Sequence, residues 1–166
     1  LEFRRVLFRS LRTGEIDCAI MAEPFPDAGL ATAPLYDEPF MAALPSPHPL
    51  AQRDQVSAQE LKAETMLLLG TGHCFRDHVL EVCPEFARFA SNAEGIRRSF
   101  EGSSLETIKH MVAAGMGVTL VPRLSVPRDA LQAPPKGRRR AVIETHVRYL
   151  PVVDEEGRPP MRRVLL

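Results

Sequence analysis

Thr65 followed by the apolar run Met66-Leu67-Leu68-Leu69 leads into Gly70-Thr71-Gly72 and then into a helical pattern from Arg76 to Val82. A short apolar run without alternation suits a strand buried on both faces, as in a parallel sheet. Open α/β sheets place reactive groups just past the C-terminal end of such a strand, where a helix begins. The order therefore points to an α/β fold with a site at the residues after Gly72.

Those residues are His73-Cys74-Phe75-Arg76-Asp77, with a second thiol, Cys83, nine positions after the first. A thiol reacts with peroxide as thiolate, a form favoured at a helix N-terminus and beside Arg or protonated His. Cys74 has all three aids: His73 and Arg76 flank it, and the glycine-rich lead-in lets backbone amides turn toward the sulfur. Asp77 opposes this unless it orients Arg76 or His73. If the intervening segment is helical, the two cysteines stand roughly 13 Å apart along the axis. A disulfide needs Cα atoms within roughly 7 Å, so pairing requires the segment to unwind. Peroxide would make a sulfenic acid at Cys74, and Cys83 would condense with it. The new bond would hold the segment in another conformation and so turn chemistry into a signal. The segment is short, carries Val79 and Val82, and is bounded by Gly72 and Pro84, so unwinding is expected to cost little.

Spacing alone leaves a plainer alternative, in which one cysteine is a small buried apolar residue and the other a bystander. Metal binding fits poorly, because nine-residue spacing is not a zinc-knuckle pair and no second Cys/His cluster completes four ligands. No metal or cofactor is expected.

The words Gly72-His73-Cys74-Phe75-Arg76-Asp77-His78 with Cys83, and the run from Ser104 to Pro122 (SLETIKHMVAAGMGVTLVP), resemble the OxyR-type, peroxide-sensing branch of the LysR-type transcriptional regulators. Leu11–Ile20 and Leu35–Phe40 are further matches. The long second motif is general to LysR-type sensors, whereas the cysteine motif belongs to the peroxide branch. The resemblance covers the effector-sensing domain from about Leu11 onward. It implies a fold like type 2 periplasmic binding proteins, with two Rossmann-like subdomains of which the first is incomplete here. It makes Cys74 the peroxide-reactive thiol and Cys83 the resolving thiol, with His73, Arg76 and Asp77 as polar surround and Arg163 as a basic contact. It also implies a homodimer or tetramer, DNA binding through an N-terminal helix-turn-helix missing from this chain, and contact with RNA polymerase.

At 166 residues and 45% hydrophobic content the chain can bury a core, and its zero formal charge draws it neither to nucleic acid nor to an anionic membrane. Three cysteines and no recognisable secretion signal suit a reducing cytoplasm, and no apolar run is long enough to span a membrane.

In chain order, residues 1–10 match nothing in the family and are read as foreign sequence. Residues 11–39 are read as the remnant of the first subdomain, 40–163 as the second, and 164–166 as the start of a truncated strand. Leu11–Glu15 should end a helix at Gly14, and Ile16–Met21 should be a buried strand with Cys18 packed inside it. Glu23–Gly29 reads as loop, Leu30–Leu35 as an edge-like strand, and Pro39–Leu44 as a strand near whose Phe40 the chain crosses between subdomains. Ser57-Ala58-Gln59-Glu60 is a capping box, and Pro84 ends the helix after Cys83. Ile96–Glu101 and Val118–Val121 should be strands around a helix, Leu105–Ala114, capped by Ser103 or Ser104. At that helix start Ser103, Ser104 and Thr107 could contact a small anionic ligand, but a plain cap explains them better. Pro127–Arg140 reads as exposed loop, with Arg138–Arg140 a solvated charge run, and Val147–Val153 as a strand.

The function expected is a redox-sensing regulatory domain rather than an enzyme. The alternative is a small-molecule-responsive LysR-type domain with incidental cysteines. A thiol peroxidase would need a site for a reductant, which the sequence does not offer, and a stand-alone solute-binding protein would want a secretion signal.

Overall fold

The computed structural model describes residues 2–24, 29–71, 73–84, 99–131 and 146–166. By its contacts the chain forms two units, residues 1–38 with 161–166 and residues 39–160.

In the second unit, the strand β2 (Pro34–Pro45) contributes its C-terminal half. That half pairs antiparallel with β6 (Thr119–Pro122) on one side and β7 (Val147–Val153) on the other. A two-residue β3 (Val56–Ser57) runs parallel to β7. The helix α2 (Ala58–Leu61) follows from a reciprocal capping box: Ser57 Oγ accepts from the Glu60 N–H, and the Glu60 carboxylate accepts from the Ser57 N–H. Glu60 also pairs with Arg53. Next, β4 (Met66–Leu69) is buried throughout and pairs parallel with β5 (Ser99–Gly102). A parallel bridge joins Met66 to Val118 on its other flank. The helices α3 (Cys74–Val82) and α4 (Leu105–Ala113) follow β4 and β5. Ser104 Oγ accepts from the Thr107 N–H at 3.1 Å to start α4, and Gly115, at φ +78°, stops it. A short helix α5 (Arg128–Leu131) lies before β7. Leu44, Leu61, Leu67, Ile108, Val112 and Leu120 make a dry core between the sheets and α4.

The first unit holds α1 (Glu2–Thr13), β1 (Met21–Ala22), the N-terminal half of β2, and β8 (Met161–Leu165). β8 lies between β1 and β2. Helix α1 ends at Gly14, φ +72°. Residues 2–10 form one continuous helix with Leu11–Thr13, and Phe8 is buried.

Two expectations fail in this unit. Ile16–Ile20 is not a strand, and Cys18 is exposed rather than packed. An apolar run buries only where neighbouring strands and a covering layer take it up. Among the described residues only β8 runs beside this segment, and only at Met21 and Ala22. Leu30–Ala33 likewise stays outside a strand except for mutual backbone bonds between Ala33 and Leu166, both 2.9 Å, and β2 begins at Pro34.

Residues 161–163, which the resemblance places with the second subdomain, pack in the first unit because their arginines find acids there. Arg162 donates from Nε and Nη2 to Glu38 Oε2 at 2.8 and 2.6 Å, and Glu38 is only 2% exposed. Arg163 donates to both carboxylate oxygens of Asp37, at 2.9 and 3.2 Å, and holds that carboxyl below its usual range. Removing one partner of a buried ion pair strands the other charge in a dry setting. Arg162→Ala should therefore cost about 3 kcal/mol of the first unit's stability, and Glu38→Gln added to it should restore part. Hydrogen exchange of the β8 amides reads both; equal protection in wild type and Arg162→Ala would refute the claim.

Pro127–Arg140 is described only to Leu131, so Arg138–Arg140 lies outside the described residues, as do Ile96–Arg98 and Gly72. No helix among the described residues is long and apolar enough to cross a membrane.

Candidate functional site

The site is built where β4 ends. The Gly70 N–H donates to the Gly102 carbonyl at 3.1 Å, the last tie to the neighbouring strand, and the His73 N–H donates back to the Gly70 carbonyl at 3.3 Å. The chain thus turns within four residues and starts α3. His73 is its N-cap, extended at φ −79° and ψ 123°, and makes no side-chain capping bond. Its ring is left exposed beside the helix start. Cys74 is the first helical residue and half-buried, so its sulfur sits at the positive end of the helix dipole with a path to solvent.

Arg76 does more than supply charge. Its Nη1 donates to the Leu69 carbonyl at 2.9 Å, which ties the first turn of α3 to the end of β4 and fixes the guanidinium near the loop. Asp77 is in the same first turn and exposed, where a carboxylate favours the helix dipole.

Cys83 closes the other end. It is the C-cap of α3, its N–H donating to the Val79 carbonyl at 2.9 Å, and it is fully buried. Both Cys74 and Cys83 are free thiols. With nine helical residues between the caps, the two stand roughly 13 Å apart along the axis, beyond disulfide reach.

The structure corrects the expectation that α3 unwinds at little cost. Phe75, His78, Val79 and Cys83 form a continuous buried face, 8%, 2%, 2% and 0% exposed. Burial of a large apolar side chain is worth about 1.5–3 kcal/mol, so helix propensity understates what holds this segment. Phe75 stacks on Phe40 at a centroid distance of 5.8 Å, and the His78 ring stands edge-on to Phe75 at 6.3 Å. His78 was not among the site residues expected from sequence. Its spacing of four from Cys74 was the available signal, since positions i and i+4 share a helix face.

Of the six residues expected at the site, Cys74, His73, Arg76 and Asp77 are brought together at the start of α3, and Cys83 lies at its end. Arg163 belongs to the first unit, paired with Asp37. Ser104 and Thr107 are joined by their own capping bonds, and their hydroxyls lie 2.9 Å apart. No group of three or more His, Cys, Asp or Glu among the described residues could hold a metal ion.

A "Hydrogen peroxide-inducible genes activator" of Pectobacterium carotovorum is 41% identical over 123 residues, covering 74% of this chain and 39% of that protein. The "DNA-binding transcriptional dual regulator OxyR" of Escherichia coli K12 is 36% identical over 152 residues, 92% of this chain and 44% of that one. The chain thus spans about two fifths of the length of these relatives. The structure of a reduced form of OxyR from N. meningitidis superposes with a TM-score of 0.78 at 36% identity, covering 98% of this chain and 67% of the other. The model of the LysR substrate binding domain matches residues 2–151. With fold, cysteine motif and sequence in agreement, the chain belongs to the LysR substrate binding domain family, as an effector-sensing domain of the OxyR kind.

Proposed function

We propose that this domain senses hydrogen peroxide through Cys74, with Cys83 as resolving thiol. The Cys74–Cys83 disulfide refolds the segment between them and alters transcription by the full-length protein. The observation that carries this reading is the contrast along α3: a half-buried thiol at a cationic helix start and a fully buried thiol at the helix end. The first can meet a small oxidant, while the second is kept from it until the helix opens. The names of the relatives support the same chemistry. Arg163 as a contact of the reactive site, a homodimer or tetramer, DNA binding through an N-terminal helix-turn-helix and a contact with RNA polymerase complete the proposal for the whole regulator.

Cys18 provides an internal control, being exposed in a different setting. After brief exposure of the reduced chain to low peroxide, peptide mass mapping should find a Cys74–Cys83 disulfide while Cys18 remains a thiol. Cys74 oxidising no faster than Cys18 would remove the peroxide reading in favour of a domain that answers to a small bound effector.

A further inference from the structure

Phe40 is the second residue of the second unit, on the strand by which the chain enters it, and it is 2% exposed. Its ring lies over Phe75, with planes 29° apart, and Phe75 is the residue next to Cys74. On the same helix the His78 ring meets Phe75 at 84°. An aromatic contact to β2 thus adds to the Arg76–Leu69 bond in holding the first turn of α3 to the core.

We propose that Phe40 is a positioning residue of the switch: through Phe75 it sets how fast oxidised Cys74 is delivered to Cys83. The inference rests on the peroxide reading of the site. In the first step the Cys74 thiolate attacks peroxide, the O–O bond breaks, one oxygen stays on sulfur as the sulfenic acid, and the other leaves as hydroxide that takes a proton to become water. In the second, the Cys83 sulfur attacks the Cys74 sulfur, the S–O bond breaks, and the oxygen leaves as water with the Cys83 proton. Two thiols are oxidised to one disulfide and one peroxide is reduced to two waters. The first step needs only access to Cys74, which the intact helix allows. The second needs the sulfurs brought together from a separation of roughly 13 Å, and no path does this with α3 intact. Phe75 must leave Phe40 on the way, so the stack opposes closure and leaves sulfenic acid formation alone.

The test follows both steps in the whole chain, trapping sulfenic acid with a dimedone-type reagent and counting disulfide by mass. Phe40→Ala should close about three- to tenfold faster than wild type, the range an aromatic pair represents in an equilibrium constant, with the first step unchanged. Phe40→Leu keeps most of the apolar volume and should fall between the two, which preserves the test if the alanine variant does not fold. Leu44→Ala, a fully buried position further along the same strand, controls for general loosening and should close at the wild-type rate. Normal sulfenic acid with unchanged closure in Phe40→Ala and Phe40→Leu, or equal acceleration in Leu44→Ala, would overturn the role of Phe40. Absence of sulfenic acid at Cys74 in wild type would overturn the peroxide reading, and this inference with it.

Discussion

A Cys83→Ser chain treated with peroxide is expected to take up one oxygen at Cys74 and stop there. Serine has no sulfur to attack the sulfenic acid, and the one remaining thiol, Cys18, belongs to the first unit. The disulfide should fall below detection while the trapped sulfenic acid at Cys74 rises from transient to dominant. The substitution itself is mild in volume but places a hydroxyl in an apolar setting, at a cost of about 1–3 kcal/mol. A melting curve therefore accompanies the chemistry, to show that the protein is folded when it is oxidised. Peptide mapping decides the matter. A Cys74–Cys18 disulfide in equal yield would mean that Cys83 has no privileged place, and a Cys74 that never oxidises would mean that it is not the sensor thiol.

Gly117→Ala should produce a large loss of stability in the second unit. A Cβ at Gly117 would run into the backbone carbonyl of Thr65 and lie 3.2 and 3.3 Å from the Leu67 side chain. That carbonyl accepts the Val118 N–H at 2.9 Å, and the Leu67 N–H donates to the Val118 carbonyl at 2.8 Å. A methyl group can be accommodated only by moving two backbones apart at the edge of β4, which forfeits both bonds along with the packing of Leu67. Overpacking and lost hydrogen bonds together come to about 3 kcal/mol. In a chain of this size that lowers the melting temperature by about 10 °C. A shift within a degree or two of wild type would show that the strand can move aside at no cost. Peroxide sensing is a separate readout, since the clash is at the opposite end of β4 from Cys74.

The parts of this molecule that were legible in its sequence are those whose physics is local. The Ser57–Glu60 box, the Ser104 cap, the Gly14 and Gly115 stops and the Pro84 boundary each follow from groups within four residues of one another, and each appears as expected. The same holds for the placement of His73, Cys74, Arg76 and Asp77, which share one turn at the start of α3. What escaped depends on distant residues. Arg162 and Glu38 are 124 positions apart, so nothing in either neighbourhood announces the pair. Cys18 looked buried because its run is apolar, yet burial is conferred by a covering layer and not by composition. The stability of α3 escapes a sequence reading for the same reason. Its propensity is weak, but Phe40 and the rest of the core supply what the segment lacks.

That buried face has a consequence for the way back. In the proposed switch the disulfide forms against the work of pulling Phe75, His78, Val79 and Cys83 out of the core, and reduction returns that work when α3 folds again. A dithiol stabilised in this way holds its electrons more tightly, and its disulfide accepts electrons more readily, than an unstrained pair would: each 1.4 kcal/mol of burial forfeited raises the reduction potential by about 30 mV. Peroxide is so strong an oxidant that this load slows closure without reversing it, whereas for reduction by thiols it weighs on the equilibrium itself. In the proposed switch the helix packing would set the threshold for switching off, so that a modest reductant ends the signal once the oxidant is gone.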